Sequence, residues 1–546
     1  MEPGRELPVY TTFKFWAATS VSAALLVVKY APQFSLRHSF SYTAAALFFT
    51  QWLIYSVYEW FIYPFYVSPL RHLPTVKGGN ILFGQFFTIL REPSGTPMRR
   101  WIKEYPNEGV IRYLHLFNRE RLLLTSPKAF SEVLTTKSYD FVKPQLLREG
   151  LGRVLGIGIL FAEGDEHKHQ RRNFMPAFAF RHIKELYPLF WSKSIEMTSR
   201  ISQDIASSPG PKPVAVEVGN WASRATLDII GAAGMGQDFN SLAQPDSELN
   251  RAYQRLFAPN GQAVLVAALQ FFIPRFILQR IPLQRNSDLA NAAHVARSTS
   301  AQLIEQKRIV MKSEKSLPPD IISTALSSGA FTDGQLVDNM MTFLAAGHET
   351  TASALSWCTY LLTRHPECQS RLRDEIHASI PDPTAAITHE IIDNMPYLHA
   401  VCNETLRFFA PVPLTLRDAG VDTTILGHPV PKGVKVILVP WATNVDTDLW
   451  GPDAAQFNPD RWLAPGCAGS GGATSNYAFL TFLHGPRSCI GQKFALAEMA
   501  CLVAALVGKF EIQIRDEDKG REIEIKTGVT ARPKHGLWVN LKEVDW

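Results

Sequence analysis

One cysteine, Cys489, sits in the run Phe482-Leu-His-Gly485-Pro-Arg487-Ser-Cys489-Ile-Gly491, with an arginine two places before it and a glycine on each side. The helix-forming run Gln492–Phe510 follows directly, which predicts a tight turn at a helix N-terminus around the sulfur. Unpaired backbone N–H groups and the helix dipole at such a place favour a thiolate over a thiol. A thiolate is a good soft ligand for iron. Gly485 and Gly491 allow the backbone to approach something flat, and Arg487 suits a carboxylate on the same object. Flat, iron-bearing and carrying carboxylates describes haem. An isolated cysteine in a turn is more often structural, so the rest of the chain has to decide.

A second constellation lies in a long apolar run. Thr332-Asp-Gly-Gln335 fits a capping box, and apolar residues continue with little interruption to Leu362, before Pro366. About 32 residues at 1.5 Å each give roughly 48 Å, enough to cross a whole domain. Its middle is Ala346-Gly347-His348-Glu349-Thr350-Thr351. Small residues there let a flat group or a substrate reach the backbone, and an acid and a hydroxyl in a buried helix need a reason to exist. Thr350 can bond back to the carbonyl four residues earlier or leave it free and open a kink that holds water. His348-Glu349 does not make a zinc-protease helix, because Ala352 stands where the second histidine is needed.

A third set is charged. Glu404 and Arg407 share a helix face three residues apart, among Val401, Cys402, Leu406, Phe408 and Phe409. A buried pair needs further partners, and Arg461 in Phe457-Asn-Pro459-Asp-Arg461-Trp462 can supply one.

These segments resemble the cytochrome P450 family at three motifs. Phe-x-x-Gly-x-Arg-x-Cys-x-Gly at 482–491 is similar to its haem-ligand signature at every fixed position. Ala346–Thr351 resembles its oxygen-activating motif. Glu404-x-x-Arg407 with Phe457-x-Pro-x-Arg461-Trp resembles its structural ion-pair triad. The resemblance implies a mainly α fold with small β-sheets, and haem b with Cys489 as the axial thiolate. Phe482 would pack beside the sulfur, and Ala346, Gly485 and Gly491 would lie close to the haem. Arg487 would be a propionate partner, as would Arg417 after Pro411-Val-Pro413, and Arg171 in Gly164-Asp-Glu-His167-Lys-His-Gln-Arg171. His167 stands where the family carries tryptophan, and an imidazole can still donate to a propionate. Thr350 would hydrogen-bond dioxygen and Glu349 would feed protons through water. Glu404, Arg407 and Arg461 would be structural.

The remaining chain bounds the reading. Apolar residues are 46% and charged residues 19%, which excludes a disordered chain. Fifty-five basic against 50 acidic residues leave a net charge of +5, too little to argue for nucleic acid. The six cysteines form no CxxC pair, so neither a zinc site nor a disulfide scaffold is suggested. Gly150–Gly156 misses the dinucleotide fingerprint in spacing, and no Gly-x-Ser-x-Gly or Walker loop occurs. No length is left for a flavin domain. The resemblance therefore implies electrons from NADPH through a separate cytochrome P450 reductase, with cytochrome b5 as a further donor, drawn to Lys168, Arg172 and Lys493.

Two N-terminal stretches, about 15–31 and 42–63, are strongly apolar. They are expected to form a membrane anchor of one or two spans over residues 1–65, with residues 66–546 as one catalytic body. The expected place is the endoplasmic reticulum membrane, with that body facing the cytosol. Pro64, Ser68–Pro74 and Lys77–Gly79 punctuate the join, and Gly466–Ser475 reads as a surface loop. Short β segments are expected near Val110–Leu124, Thr423–Val439 and Ile523–Leu541. The apolar run Ala263–Leu283 is expected as core or as a piece dipping into the membrane surface.

The expected activity is insertion of one atom of O2 into an apolar small molecule of fungal secondary metabolism, held by Phe343, Pro411–Thr415, Val529 and the 140–160 segment. One alternative is a haem-thiolate isomerase or dehydratase acting on an oxygenated lipid without O2. Another is a haem-binding sensor without turnover.

Overall fold

In the computed structural model the described residues are 9–208, 214–247, 251, 284–314, 320–526 and 528–546, so the run Ala263–Leu283 lies outside them. The chain divides into two units, Met1–Val142 with Leu414–Val439, and Lys143–Pro413 with Pro440–Trp546.

The first unit opens with helices Val9–Tyr30 (α1) and Phe40–Val57 (α2). Thr19 donates to Gln51 Oε1 at 3.0 Å and Trp16 meets Tyr55 edge-on at 4.9 Å, which joins the two helices. A π-helical segment, Tyr58–Val67, follows and contains Pro64. Proline lacks the N–H that an α turn needs, so the wider winding belongs where the proline stands. Pro64 O accepts a bond from Arg112, whose guanidinium pairs with Glu120 at 2.7 Å, both buried. Phe15, Phe34, Phe49, Ile54 and Tyr66 are all exposed. Among the described residues no helix is long and apolar enough to cross a membrane.

Strands Val110–Leu114 (β1), Glu120–Leu124 (β2), Phe141–Val142 (β3), Thr415–Ala419 (β4) and Lys435–Leu438 (β5) make the unit's sheet, in the order β1-β2-β5-β4-β3. β1 and β2 are an antiparallel pair, and β2 lies parallel to β5 with Leu122 opposite Val436.

The second unit is helical. Its elements around the candidate site are Gly164–Phe174 (α3), Val218–Met235 (α4), Asp333–Arg364 (α5), Pro396–Phe408 (α6) and Gln492–Lys509 (α7). α5 starts at a capping box. Thr332 Oγ1 accepts from Gln335 N at 3.3 Å, and Gln335 Oε1 accepts from Thr332 N at 3.0 Å. Two of the helix's unpaired N-terminal donors are satisfied in this way. α5 is 32 residues long and buried along most of its length, as is α7 from Ala497 to Gly508. A helix apolar on all sides belongs in a core. The C-terminal end carries a short hairpin, Ile525–Lys526 (β6) against Arg532–Pro533 (β7).

Candidate functional site

The cysteine loop closes on itself. Cys489 N donates to Phe482 O at 2.9 Å, and the turn between them is made by Leu483 and Gly485, both at positive φ. At Gly485, φ is +76°, a conformation that glycine adopts without penalty. Gly491 is different, because its φ is −88° and a Cβ there would find only ordinary contact with Phe178, at 3.7 Å. Its contribution is the backbone N–H, which bonds the Cys489 sulfur.

Cys489 is exposed, yet protein surrounds it densely enough that burial raises its thiol pKa, against the opposing Gly491 N–H and the Arg171 charge. A side chain that is both open and surrounded borders an internal hollow. The helix terminus alone does not make this sulfur a thiolate. Coordination to a metal would, since a bound thiol loses its proton.

Cations gather beside the loop. Arg171, on α3, donates to Ser488 O at 2.5 Å and to Ser488 Oγ at 3.3 Å, next to the cysteine. Arg487 is paired with Glu163 at 2.5 Å, and both are well buried. His167, one turn before Arg171, is buried, and burial together with the charges of Arg487, Lys143 and Arg171 pushes its pKa down to about 4. It is neutral at pH 7. Three cations surround a neutral imidazole, one of them paired with Glu163, and this edge of the hollow is positive. A group carrying two carboxylates fits such an edge.

The middle of α5 shows the same mixture of open and enclosed. Ala346 is exposed and Thr350 half-buried, although residues Leu336–Ala345 and Thr351–Thr359 are almost all buried. Ala346 is therefore an accessible position in an otherwise buried stretch. At Gly347 a Cβ would meet Ile230 of α4 at 2.9 Å. Its smallness serves helix packing, which corrects the expectation that it clears a path for a cofactor. Thr350 Oγ1 donates to Ala346 O at 2.8 Å, the first of the two arrangements open to it, and α5 is continuous from Asp333 to Arg364. Glu349 accepts from Thr530 Oγ1 at 2.6 Å and pairs with Arg532.

Behind the loop, Glu404, Arg407 and Arg461 come together. Arg407 binds both oxygens of Glu404 at 2.7 Å and also donates to the carbonyls of Asn444, Ala454 and Gln456. Glu404 further accepts from Arg461 at 3.2 Å, Trp462 at 3.0 Å and Asn458 N at 2.8 Å. Glu404 and Arg407 are fully buried. Satisfaction of every polar group is the condition under which a buried pair is tolerated. From Asn444 the network continues to Leu480 N at 2.9 Å and Thr481 at 2.8 Å, immediately before Phe482.

Arg417 belongs to the first unit, on β4, where it donates to Thr415 Oγ1 and Leu416 O. Phe343 is packed against Phe174 and Phe178, at 4.9 and 5.6 Å between ring centres, and Val529 is exposed. Lys168, Arg172 and Lys493 are exposed on the second unit. The sequence reading missed Glu163, Thr530 and Arg532, whose partners are remote in the chain. It also missed Glu498 of α7, whose carboxyl is raised well above the carboxylate range by burial.

The family model described as Cytochrome P450 matches residues 74–539. The chain is 45% identical over 499 residues to Cytochrome P450 monooxygenase sphH of Aspergillus fumigatus, covering 90% of this chain and 91% of that protein. It is 43% identical over 540 residues to Cytochrome P450 monooxygenase FUM15 of Gibberella moniliformis, covering 89% and 91%. With Cytochrome P450 monooxygenase ALT8 of Alternaria alternata it shares 38% over 568 residues, covering 92% and 95%.

Proposed function

The chain belongs to the cytochrome P450 family, and from that premise we propose how its residues serve a haem-thiolate monooxygenase. Haem, when bound, supplies activation of O2 for insertion of one oxygen atom, with electrons from NADPH through a reductase. Cys489 would hold the iron, with the Gly491 N–H and the nearby Arg171 charge stabilising the sulfur as an anion. Arg487, Arg171 and neutral His167 would hold the propionates, and Arg417 is proposed for the same role. Phe482 would pack beside the sulfur, with Ala346, Gly485 and Gly491 against the haem.

On α5, the Thr350 hydroxyl is held by Ala346 O in the present geometry. Rotation of this hydroxyl releases the carbonyl and presents the O–H to the hollow. Glu349 would take up a proton at its carboxylate and pass it on through water. Glu404, Arg407 and Arg461 hold the frame behind the cysteine loop and take no part in proton movement.

The substrate class we infer is an apolar small molecule of fungal secondary metabolism. The support is the naming of the relatives as fungal monooxygenases. Residues 1–65 are read as a membrane anchor to the endoplasmic reticulum, with residues 66–546 as the body facing the cytosol. The support is the exposed apolar surface of α1 and α2. The reductase, and cytochrome b5 with it, would dock near Lys168, Arg172 and Lys493. Lys493 and Lys184 both lie over the exposed Phe180 ring, a basic and aromatic patch on that side.

The observation that carries the assignment is the open yet enclosed Cys489 beside a positive edge. Cys489→Ala tests it: the variant is expected to lose the thiolate-type spectrum of the carbon monoxide complex, and retention of that spectrum defeats the assignment.

A further inference from the structure

Both contacts of the α5 acid fall on one oxygen. Glu349 Oε1 accepts from Thr530 Oγ1 at 2.6 Å and is paired with Arg532, while Oε2 is engaged by neither. Thr530 precedes β7 and Arg532 begins it, and Thr530 lies 181 residues from Glu349 in sequence. The hairpin is bolted to the same helix. Ala531 O accepts from Ser353 Oγ at 2.7 Å and from Trp357 Nε1 at 2.8 Å, one and two turns beyond Glu349. The Arg532 side chain is 33% exposed and that of Glu349 11% exposed, so the guanidinium reaches from solvent to the carboxylate. Lys526 of β6 stands close enough that both Arg532 and Glu349 act on its charge. Among the described residues this is the one ion pair on the central part of α5; the others, Arg308–Asp333 and Arg297–Asp338, are in its first two turns.

We propose that Arg532 and Thr530 are positioning residues for proton delivery, and that the hairpin edge is where protons enter from solvent. The proposal rests on the reading of Glu349 and Thr350 as the proton path. With Oε1 held by two donors, the carboxylate is turned toward the hairpin. A proton taken from water at that edge adds to the carboxylate and weakens its hold on Arg532, because a neutral acid attracts the guanidinium less. The released acid turns toward Thr350, gives the proton to water there, and returns as carboxylate to the ion pair. One proton enters and one leaves, and no electrons move.

The test uses the full-length holoenzyme with its reductase, with NADPH and O2 as the only added reactants. The solvent isotope effect on O2 consumption is measured for Glu349→Gln, Arg532→Gln, Arg532→Lys and Thr530→Val. Arg532→Gln and Thr530→Val are expected to change that effect by roughly twofold or more, as rearranged proton transfer does, and Arg532→Lys to restore it. Thermal unfolding supplies an independent readout. The Glu349→Gln/Arg532→Gln double variant should lower the midpoint by less than the sum of the two single variants. Additive midpoints refute the contact. An unchanged isotope effect in Arg532→Gln beside a changed one in Glu349→Gln refutes the positioning role alone, as does failure of lysine to rescue. An unchanged effect in Glu349→Gln refutes the proton path, and this proposal with it.

Discussion

Replacing Arg407 with leucine removes five hydrogen bonds at once: two to Glu404 and one each to the carbonyls of Asn444, Ala454 and Gln456. Leucine fills part of the volume and satisfies none of those groups. Breaking a buried pair by removing one partner costs about 3–5 kcal/mol, and each buried carbonyl left bare adds about 1–3 kcal/mol, less than additively because they share one site. Glu404 keeps Arg461, Trp462 and Asn458 N, which limits the loss on its side. We therefore expect about 4 kcal/mol, a large share of a typical stability of about 5–15 kcal/mol. For a unit of this size that is a fall of about 5 °C in the thermal midpoint. The assay is thermal unfolding of the full chain followed by far-UV circular dichroism, with Lys519→Ala as the control. Lys519 pairs with Asp516 at 2.6 Å, but the two side chains are 58% and 73% exposed, and such pairs contribute about 0–1 kcal/mol. If Arg407→Leu shifts the midpoint no more than Lys519→Ala, the reasoning about the buried triad is wrong.

Two further outcomes follow from the same geometry. His167 has a pKa near 4 in the folded chain against about 6.5 unfolded, so below pH 6.5 the unfolded chain binds the extra proton and stability falls on acidification. The loss by pH 5 is up to about 2 kcal/mol, and His167→Gln should flatten the stability curve between pH 6.5 and 5; an unchanged slope contradicts the burial argument. Deleting residues 1–65 should release the protein from phospholipid vesicles in a flotation assay, and undiminished flotation would show that the exposed faces of α1 and α2 are not the anchor.

What could be read from the sequence was what is local in the chain. The capping box at Thr332–Gln335 is a four-residue pattern, and its two reciprocal bonds are present. The spacing of Glu404 and Arg407 puts them on one helix face, and a burial argument already asked for a third charge, which the structure has in Arg461. Contacts made across the fold were not legible. Nothing in the residues around Gly347 says that it faces Ile230 rather than a ligand, since both readings need a small side chain. The pairing of Glu349 with Thr530 and Arg532 joins a helix to the hairpin inside the expected β segment Ile523–Leu541, and it is the docking of that hairpin on this helix that carries no local signal. The helix-terminus argument for Cys489 expected backbone N–H donors at the sulfur, of which the structure has that of Gly491, and underweighted burial, which outweighs it in the free thiol. The β segment expected near Val110–Leu124 forms the antiparallel pair β1–β2, but its parallel partner, Lys435–Leu438, is set by topology.

Every role assigned around the hollow depends on which sulfur meets the iron. Cys358, Cys402 and Cys501 are buried, and burial raises the pKa of each thiol, so the protein offers other sulfurs in less open places. Iron K-edge X-ray absorption of the purified holoprotein measures the coordination directly. The expected result is one iron–sulfur distance that disappears in Cys489→Ala and survives in Cys501→Ala. An iron–sulfur distance that persists in Cys489→Ala, or that is missing from the parent protein, contradicts the account.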